Sequence, residues 1–183
     1  MAETYDKFLM LYLVGVLMIA SFTDIRSQKI PNLLTYPTII LSLLYNLFTK
    51  GPEGLLLSLA GLVIGLFFFM IPYLKGGIGA GDVKLMGAVG AALGPKFVIN
   101  AFLFTGIIGG VYALVIFLIY FDALKLFIAR TRTMVKTLLS TGNFIFIPAD
   151  DSEKKPRLCY ALAIASGTLI TMSFILSDRS LPI

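Results

Sequence analysis

The chain has 183 residues, of which 58% are hydrophobic and 14% are charged, and its formal net charge is +5. Its mean hydropathy of +0.93 indicates an integral membrane protein rather than a soluble domain. Basic residues flank apolar runs instead of forming a separate basic stripe, so no nucleic-acid partner is predicted. The sequence has no histidine and a single cysteine, which excludes Ser-His-Asp and Cys-His catalysis, histidine-ligated zinc and an internal disulfide. No cofactor or metal is expected.

Apolar runs along the chain predict an all-α bundle of about six membrane-spanning helices. They cover residues 8–23, 33–49, 54–74, 83–94, 97–121 and 158–176. The first run lacks the small-residue cleavage site of a secretory signal, so we expect a retained span. Residues 1–183 are therefore predicted to form a single membrane domain.

Pairs of glycines spaced four residues apart predict close contacts between helices. These pairs are Gly61/Gly65, Gly90/Gly94 and Gly106/Gly110. Packing is a sufficient explanation for all three pairs.

The distribution of Lys and Arg predicts how the bundle is oriented. Eleven of the 15 basic residues fall in the segments that follow the first, third and fifth apolar runs, when Lys84 at the start of the fourth run is counted with them. The positive-inside rule places those segments in the cytoplasm and the N-terminus outside, in a plasma (inner) membrane. Asp24, which follows the first run, and Asp82, which precedes the fourth, then share the cytoplasmic side.

Asp82 lies in an unusual context, because four glycines precede it within seven positions. Such a segment, which includes Gly79 and Gly81, can hold the backbone irregular and admit another chain beside the carboxylate. The run 83–94 makes roughly 18 Å of helix, which is short against a hydrocarbon thickness of about 30 Å. Either the glycines lengthen this helix or Asp82 lies below the lipid surface.

The context of Asp24 is less specific. Taken alone, this carboxylate is explained as well by a solvated position or by an ion pair with Arg26 or Lys29.

Two carboxyl groups at one membrane edge can hydrolyse a peptide bond with water while they share one proton. As a hypothesis, helix dipoles favour Asp82, at a helix start, as the anion and Asp24, at a helix end, as the acid. The same residues allow a non-enzymatic bundle, such as a cation channel or transporter subunit. A relay needs carboxylates throughout the membrane depth, whereas these two occupy one edge, which favours hydrolysis.

Two segments carry a resemblance to a known family. DIRSQKIPN (24–32) and GAGDVKL (79–85) resemble the type IV prepilin peptidases, membrane aspartic proteases of the GxGD type, and the resemblance is strongest over 8–115. It implies that Asp24 and Asp82 are the catalytic pair. It also implies that the substrate is a prepilin or pseudopilin, cleaved after its leader at the cytoplasmic face.

The long bacterial members of this family carry an N-terminal segment with paired CxxC motifs and also methylate their product. Here only seven residues precede the first apolar run and Cys159 is alone. The resemblance is therefore to the short, peptidase-only members, and methyltransferase activity is not expected. Archaeal preflagellin peptidases are similar and form an alternative within the same class.

Two basic residues near the aspartates have open roles. Arg26 and Lys84 each lie two positions beyond an aspartate and could tune its pKa or contact substrate. Snorkelling to lipid headgroups is the favoured explanation for both.

The longest connection, residues 122–157, begins with a predicted amphipathic helix on the inner leaflet. Its basic face is expected to meet anionic lipid, and Asp122 to cap a helix. The apolar stripe comprises Leu124, Phe127, Ile128, Thr131, Val135, Leu138 and Leu139.

Overall fold

The computed structural model describes residues 7–119, 129, 131–133, 136–137 and 159–177. Outside short connections these residues are helical, and none of them forms a strand. The helices are α1 (Lys7–Ser27), α2 (Asn32–Leu74), α3 (Ala80–Leu93), α4 (Pro95–Ile119) and α5 (Tyr160–Leu176). Three of them, α1, α2 and α4, are long and apolar enough to cross a membrane. The predicted all-α membrane bundle is confirmed.

The chain divides into two compact units, Met1–Gly109 with Cys159–Ile183, and Gly110–Leu158. The residues that matter for the site all belong to the first unit. In the second, α4 continues to its end, and Thr133 and Thr137 each donate a hydroxyl hydrogen bond to the carbonyl four residues earlier, as helices allow. Most of the predicted amphipathic helix over 124–139 lies outside the described residues, as does Asp122, so the apolar stripe stays a prediction.

α2 consists of two helical arms that meet at a kink. Gly51 has φ 67° and ψ −158°, a backbone conformation that favours glycine. Asn46 and Ser58, on either side of the kink, both donate side-chain hydrogen bonds to the carbonyl of Ala91, at 3.5 and 2.6 Å. A straight helix would separate these residues by roughly 18 Å. The arms, residues 32–50 and 52–74, therefore fold back on each other and correspond to two of the six predicted spans.

α3 is buried on nearly all sides, and its small residues let the second arm of α2 approach. A Cβ on Gly61 would overlap the backbone of Gly90, and one on Gly65 would lie 2.5 Å from the Met86 carbonyl oxygen. The packing role predicted for these glycines is confirmed. It is also confirmed for Gly90, where an added Cβ would overlap the backbone of Gly61. For Gly94, Gly106 and Gly110 it is wrong in the described residues. Gly94 ends α3 with φ 84°, and an added Cβ would meet nothing within 4 Å there or at Gly106.

α1 buries one stripe of residues and exposes the opposite one. Leu13, Leu17, Ser21 and Asp24 follow one another at helical spacing on the buried side. The other side exposes large apolar side chains, which suits contact with lipid: Phe8, Leu11, Met18, Ile19, Phe22 and Ile25. Asp24 thus continues the stripe that faces the core.

Candidate active site

Asp24 lies near the end of α1, and its side chain is only 7% exposed. The helix stops soon after it, because Gln28 adopts a left-handed backbone (φ 52°) and donates its N–H to the Asp24 main-chain carbonyl at 2.8 Å. The Asp24 carboxylate accepts a hydrogen bond at its Oδ2 from the backbone N–H of Ala161, at 3.1 Å. Ala161 is the second residue of α5, where backbone N–H groups have no acceptor within their own helix. The start of α5 therefore binds Asp24.

Ser21 ties the same two helices together one turn earlier in α1. Its hydroxyl donates to the Ala161 carbonyl at 3.4 Å and is buried. Ala161 thus contacts α1 through both its N–H and its carbonyl group. This pair of contacts holds the start of α5 against the turn that carries Asp24.

Asp82 is the third residue of α3 and is also 7% exposed. Its Oδ2 accepts the N–H of Gly79 at 3.0 Å, and its own N–H donates to the Gly79 carbonyl at 3.1 Å. This reciprocal arrangement satisfies backbone groups at the start of the helix, as in a capping box. The second oxygen, Oδ1, is buried and has no hydrogen-bond partner among the described residues. It is therefore available to an incoming donor.

The two carboxyl groups lie at the same end of the bundle, which we call the aspartate end. Asp24 and Asp82 are close enough to interact electrostatically. The charges of both also act on the thiol of Cys159, whose sulfur lies 4.0 Å from the Asp24 carbonyl oxygen. The end of α1, the start of α3 and the start of α5 thus surround a single acidic site.

The two glycines of the GxGD segment, Gly79 and Gly81, are each required for a different steric reason. A Cβ on Gly81 would lie 2.9 Å from the Cβ of Ile30, so this glycine lets the connection between α1 and α2 pack onto α3. A Cβ on Gly79 would lie 3.3 Å from the Asp82 Oδ2 and would crowd the carboxylate. Gly79 therefore leaves room beside the Asp82 carboxylate, and Gly81 leaves room for Ile30.

Lys84 joins the two motif segments. Its ammonium donates to the Asn32 Oδ1 at 2.8 Å and lies 5.0 Å from the centre of the Tyr36 ring. No hydrogen bond or ion pair between Lys84 and either aspartate occurs in the part of the chain that the structure describes. Arg26 is exposed, and its role stays a prediction. Lys84 is better explained by holding the start of α2 against α3.

Sequence reasoning did not predict that the start of α5 contributes to the site. This contact removes the basis of the hypothesis that helix dipoles make Asp82 the anion and Asp24 the acid. Asp82 lies in the first turn of its own helix, while Asp24 binds the first turn of α5. Both carboxylates therefore face the positive end of a helix dipole, so the dipole does not separate an acid from a base. A usable signal was the position of Ser21, a polar residue one turn before Asp24 on the buried stripe of α1.

No group of three Asp, Glu, Cys or His side chains suited to a metal ion occurs in the described ranges.

Residues 11–114 match the type IV leader peptidase family. The chain belongs to this family. It is 33% identical over 118 residues to the prepilin leader peptidase/N-methyltransferase of Vibrio cholerae, covering 58% of the chain and 45% of that protein. It is 34% identical over 103 residues to the protein of the same name in Bacillus subtilis, covering 54% of the chain and 40% of that protein. The chain thus spans less than half the length of these curated relatives.

No solved structure matches the chain. The family predicted from the two motif segments is confirmed, and the matched region contains both Asp24 and Asp82.

Proposed function

We propose that this protein is an aspartic endopeptidase that removes the leader peptide of a type IV prepilin or related pseudopilin. The observation that carries the proposal is the pair of buried carboxyl groups, Asp24 and Asp82, which reach one site from separate helices. Membership of a leader peptidase family supports it, as do two relatives named prepilin leader peptidases.

The arrangement suits hydrolysis by general acid and base catalysis. Two neighbouring carboxyl groups share one proton, because both cannot ionise at low cost. The ionised group takes a proton from water while the water oxygen bonds to the scissile carbonyl carbon, and the protonated group gives its proton to the carbonyl oxygen. The resulting diol collapses when one carboxylate removes a hydroxyl proton and the other carboxyl protonates the leaving nitrogen. The C–N bond then breaks, and the pair again holds one proton.

Each aspartate keeps one oxygen fixed during these steps. The Oδ2 atoms of Asp24 and Asp82 are held by the backbone N–H groups of Ala161 and Gly79. Fixed donors orient the carboxyl planes before substrate arrives, which lowers the cost of reorganisation in the reaction. The free Oδ1 of Asp82 is the atom we assign to water or substrate.

Cleavage at a membrane boundary agrees with the length of α3. Its 14 residues span roughly 21 Å, still short of a hydrocarbon layer of about 30 Å. The glycines add only a few residues to the predicted run, so we place Asp82 slightly below the lipid surface. We place the aspartate end at the cytoplasmic face and the N-terminus outside. The segments that hold most of the Lys and Arg residues belong to the same side as the aspartates, and the positive-inside rule assigns that side to the cytoplasm.

The test is cleavage of a candidate prepilin by the purified full chain in detergent. We expect the wild type to release the leader, and Asp24→Asn and Asp82→Asn each to abolish release while inserting normally. Glu53→Gln is the matched control, because Glu53 is an exposed carboxylate beside the α2 kink, at the end of the bundle opposite the aspartates. Robust processing by either Asn variant contradicts the proposal. Mass spectrometry of the product also checks the expectation that its new amine is unmethylated.

A further inference from the structure

A cavity of about 190 Å³ lies at the end of the bundle opposite the aspartates. The start of α1, the kink of α2 and the junction of α3 with α4 form its wall. From Asp82 to Leu93, which lines the cavity, α3 rises roughly 17 Å. The cavity is therefore separate from the candidate active site.

The cavity wall is largely apolar. Its large apolar side chains are Leu9, Met10, Leu57, Leu93 and Phe97. Two buried polar residues, Asn46 and Ser58, also contribute, but both donate to the Ala91 carbonyl and so support the wall. The cavity has the volume of roughly six waters in the liquid, enough for a phosphate group or part of an acyl chain. A whole phospholipid would have to extend beyond it.

Two exposed lysines line the same cavity, and we call this the lysine end. Lys50 directly precedes the kink glycine, Gly51, and Lys96 follows the turn at Gly94, so each lysine lies beside a glycine corner of the cavity. No ion pair engages either lysine in the part of the chain that is described. Glu53, one turn beyond Lys50 and also exposed, is the nearest carboxylate in sequence.

The start of α4 adds to the positive potential there. Lys96 is in the first turn of α4, at the positive end of the helix dipole. Two ammonium groups and a helix N-terminus thus converge on an apolar cavity, a combination that matches an anionic amphiphile.

We propose that the lysine end binds an anionic phospholipid. Its phosphate would lie between Lys50 and Lys96, and one acyl chain would follow the apolar wall. The surface beside the cavity supports a lipid over a soluble anion. Phe48 is 82% exposed and Leu56 is 66% exposed next to the cavity-lining Leu57, so the apolar wall continues onto the lipid-facing surface. A bound lipid would tie the α2 kink to the α3–α4 corner. This proposal does not depend on the proposed peptidase activity.

The test measures lipid retention by native mass spectrometry of the purified full chain with phosphatidylglycerol or phosphatidylcholine. We expect preferential binding of phosphatidylglycerol, and binding weakened roughly tenfold in Lys50→Gln/Lys96→Gln, since each lysine near a phosphate adds favourable electrostatic energy. Lys75→Gln is the control, because this exposed lysine follows the far end of the second arm. Leu57→Trp, which enlarges a half-exposed wall residue, should also reduce binding.

Four results overturn the proposal. Equal retention of the two lipids would show that binding does not depend on the charge of the headgroup. Unchanged binding in the double lysine variant would show that the lipid does not bind at the lysine end. Unchanged binding in Leu57→Trp would show that the acyl chain does not enter the cavity. Displacement of phosphatidylglycerol by an equal concentration of glycerol 3-phosphate shows a site for soluble anions instead of lipid.

Discussion

The two ends of the helix bundle differ in whether their charged side chains are buried or exposed. At the aspartate end, Asp24 and Asp82 are buried and held by backbone N–H groups. At the lysine end, Lys50 and Lys96 remain exposed around a largely apolar cavity. A carboxylate near hydrocarbon costs on the order of 3 kcal/mol, whereas an exposed lysine at a membrane edge costs little. The buried charges therefore support the proposed active site, and the exposed charges support the proposed contact with lipid headgroups.

The comparison predicts that the buried carboxylates act as one unit. We expect Asp24→Asn and Asp82→Asn each to lower the cleavage rate by roughly 10³-fold or more, and the double variant to be no slower than the single ones, since catalytic groups that share a step are not additive. Rates from single-turnover cleavage check this expectation. Losses that multiply in the double variant would mean that the two groups act independently.

A second prediction concerns the glycine that makes room at the aspartate end. Gly81→Ala places a Cβ against Ile30 and should shift Asp82 enough to lower cleavage about tenfold, because small misplacements of catalytic groups are costly. Gly15→Ala is the matched control, because an added Cβ there meets nothing within 4 Å. Equal activity of the two variants would show that the contact between Ile30 and Gly81 does not position Asp82.

A third prediction compares the two ends directly by cysteine labelling. In a Cys159→Ser background, Lys50→Cys should react quickly with a bulky water-soluble maleimide, and Asp82→Cys about tenfold more slowly, because thiol reactivity depends on access. Labelling intact cells and inverted vesicles also tests the predicted orientation. Similar rates at both positions would contradict a recessed Asp82.

The parts of the fold that follow from local sequence were predictable. Hydropathy located the apolar helices of the described residues, including the two arms that meet at Gly51, and the motif segments located both aspartates. The contact between Asp24 and Ala161 was not predictable, because it joins residues 137 positions apart through a backbone N–H that every residue type but proline carries. The cavity was missed for a similar reason, since α1, α2 and the α3–α4 corner form it only after they pack.

The smallest expected effect concerns the link between the two motif segments. Lys84 and Asn32 are hydrogen-bonded across 52 positions of sequence, at the surface. Deleting a partner, as in Lys84→Met or Asn32→Ala, should lower stability in detergent by about 1 kcal/mol, a typical net value for a hydrogen bond. Because the two side chains bind each other, the double variant Lys84→Met/Asn32→Ala should be little worse than either single variant. Additive losses in thermal unfolding would show that the pair is not coupled, and Lys84 would then be explained by its position over Tyr36 alone.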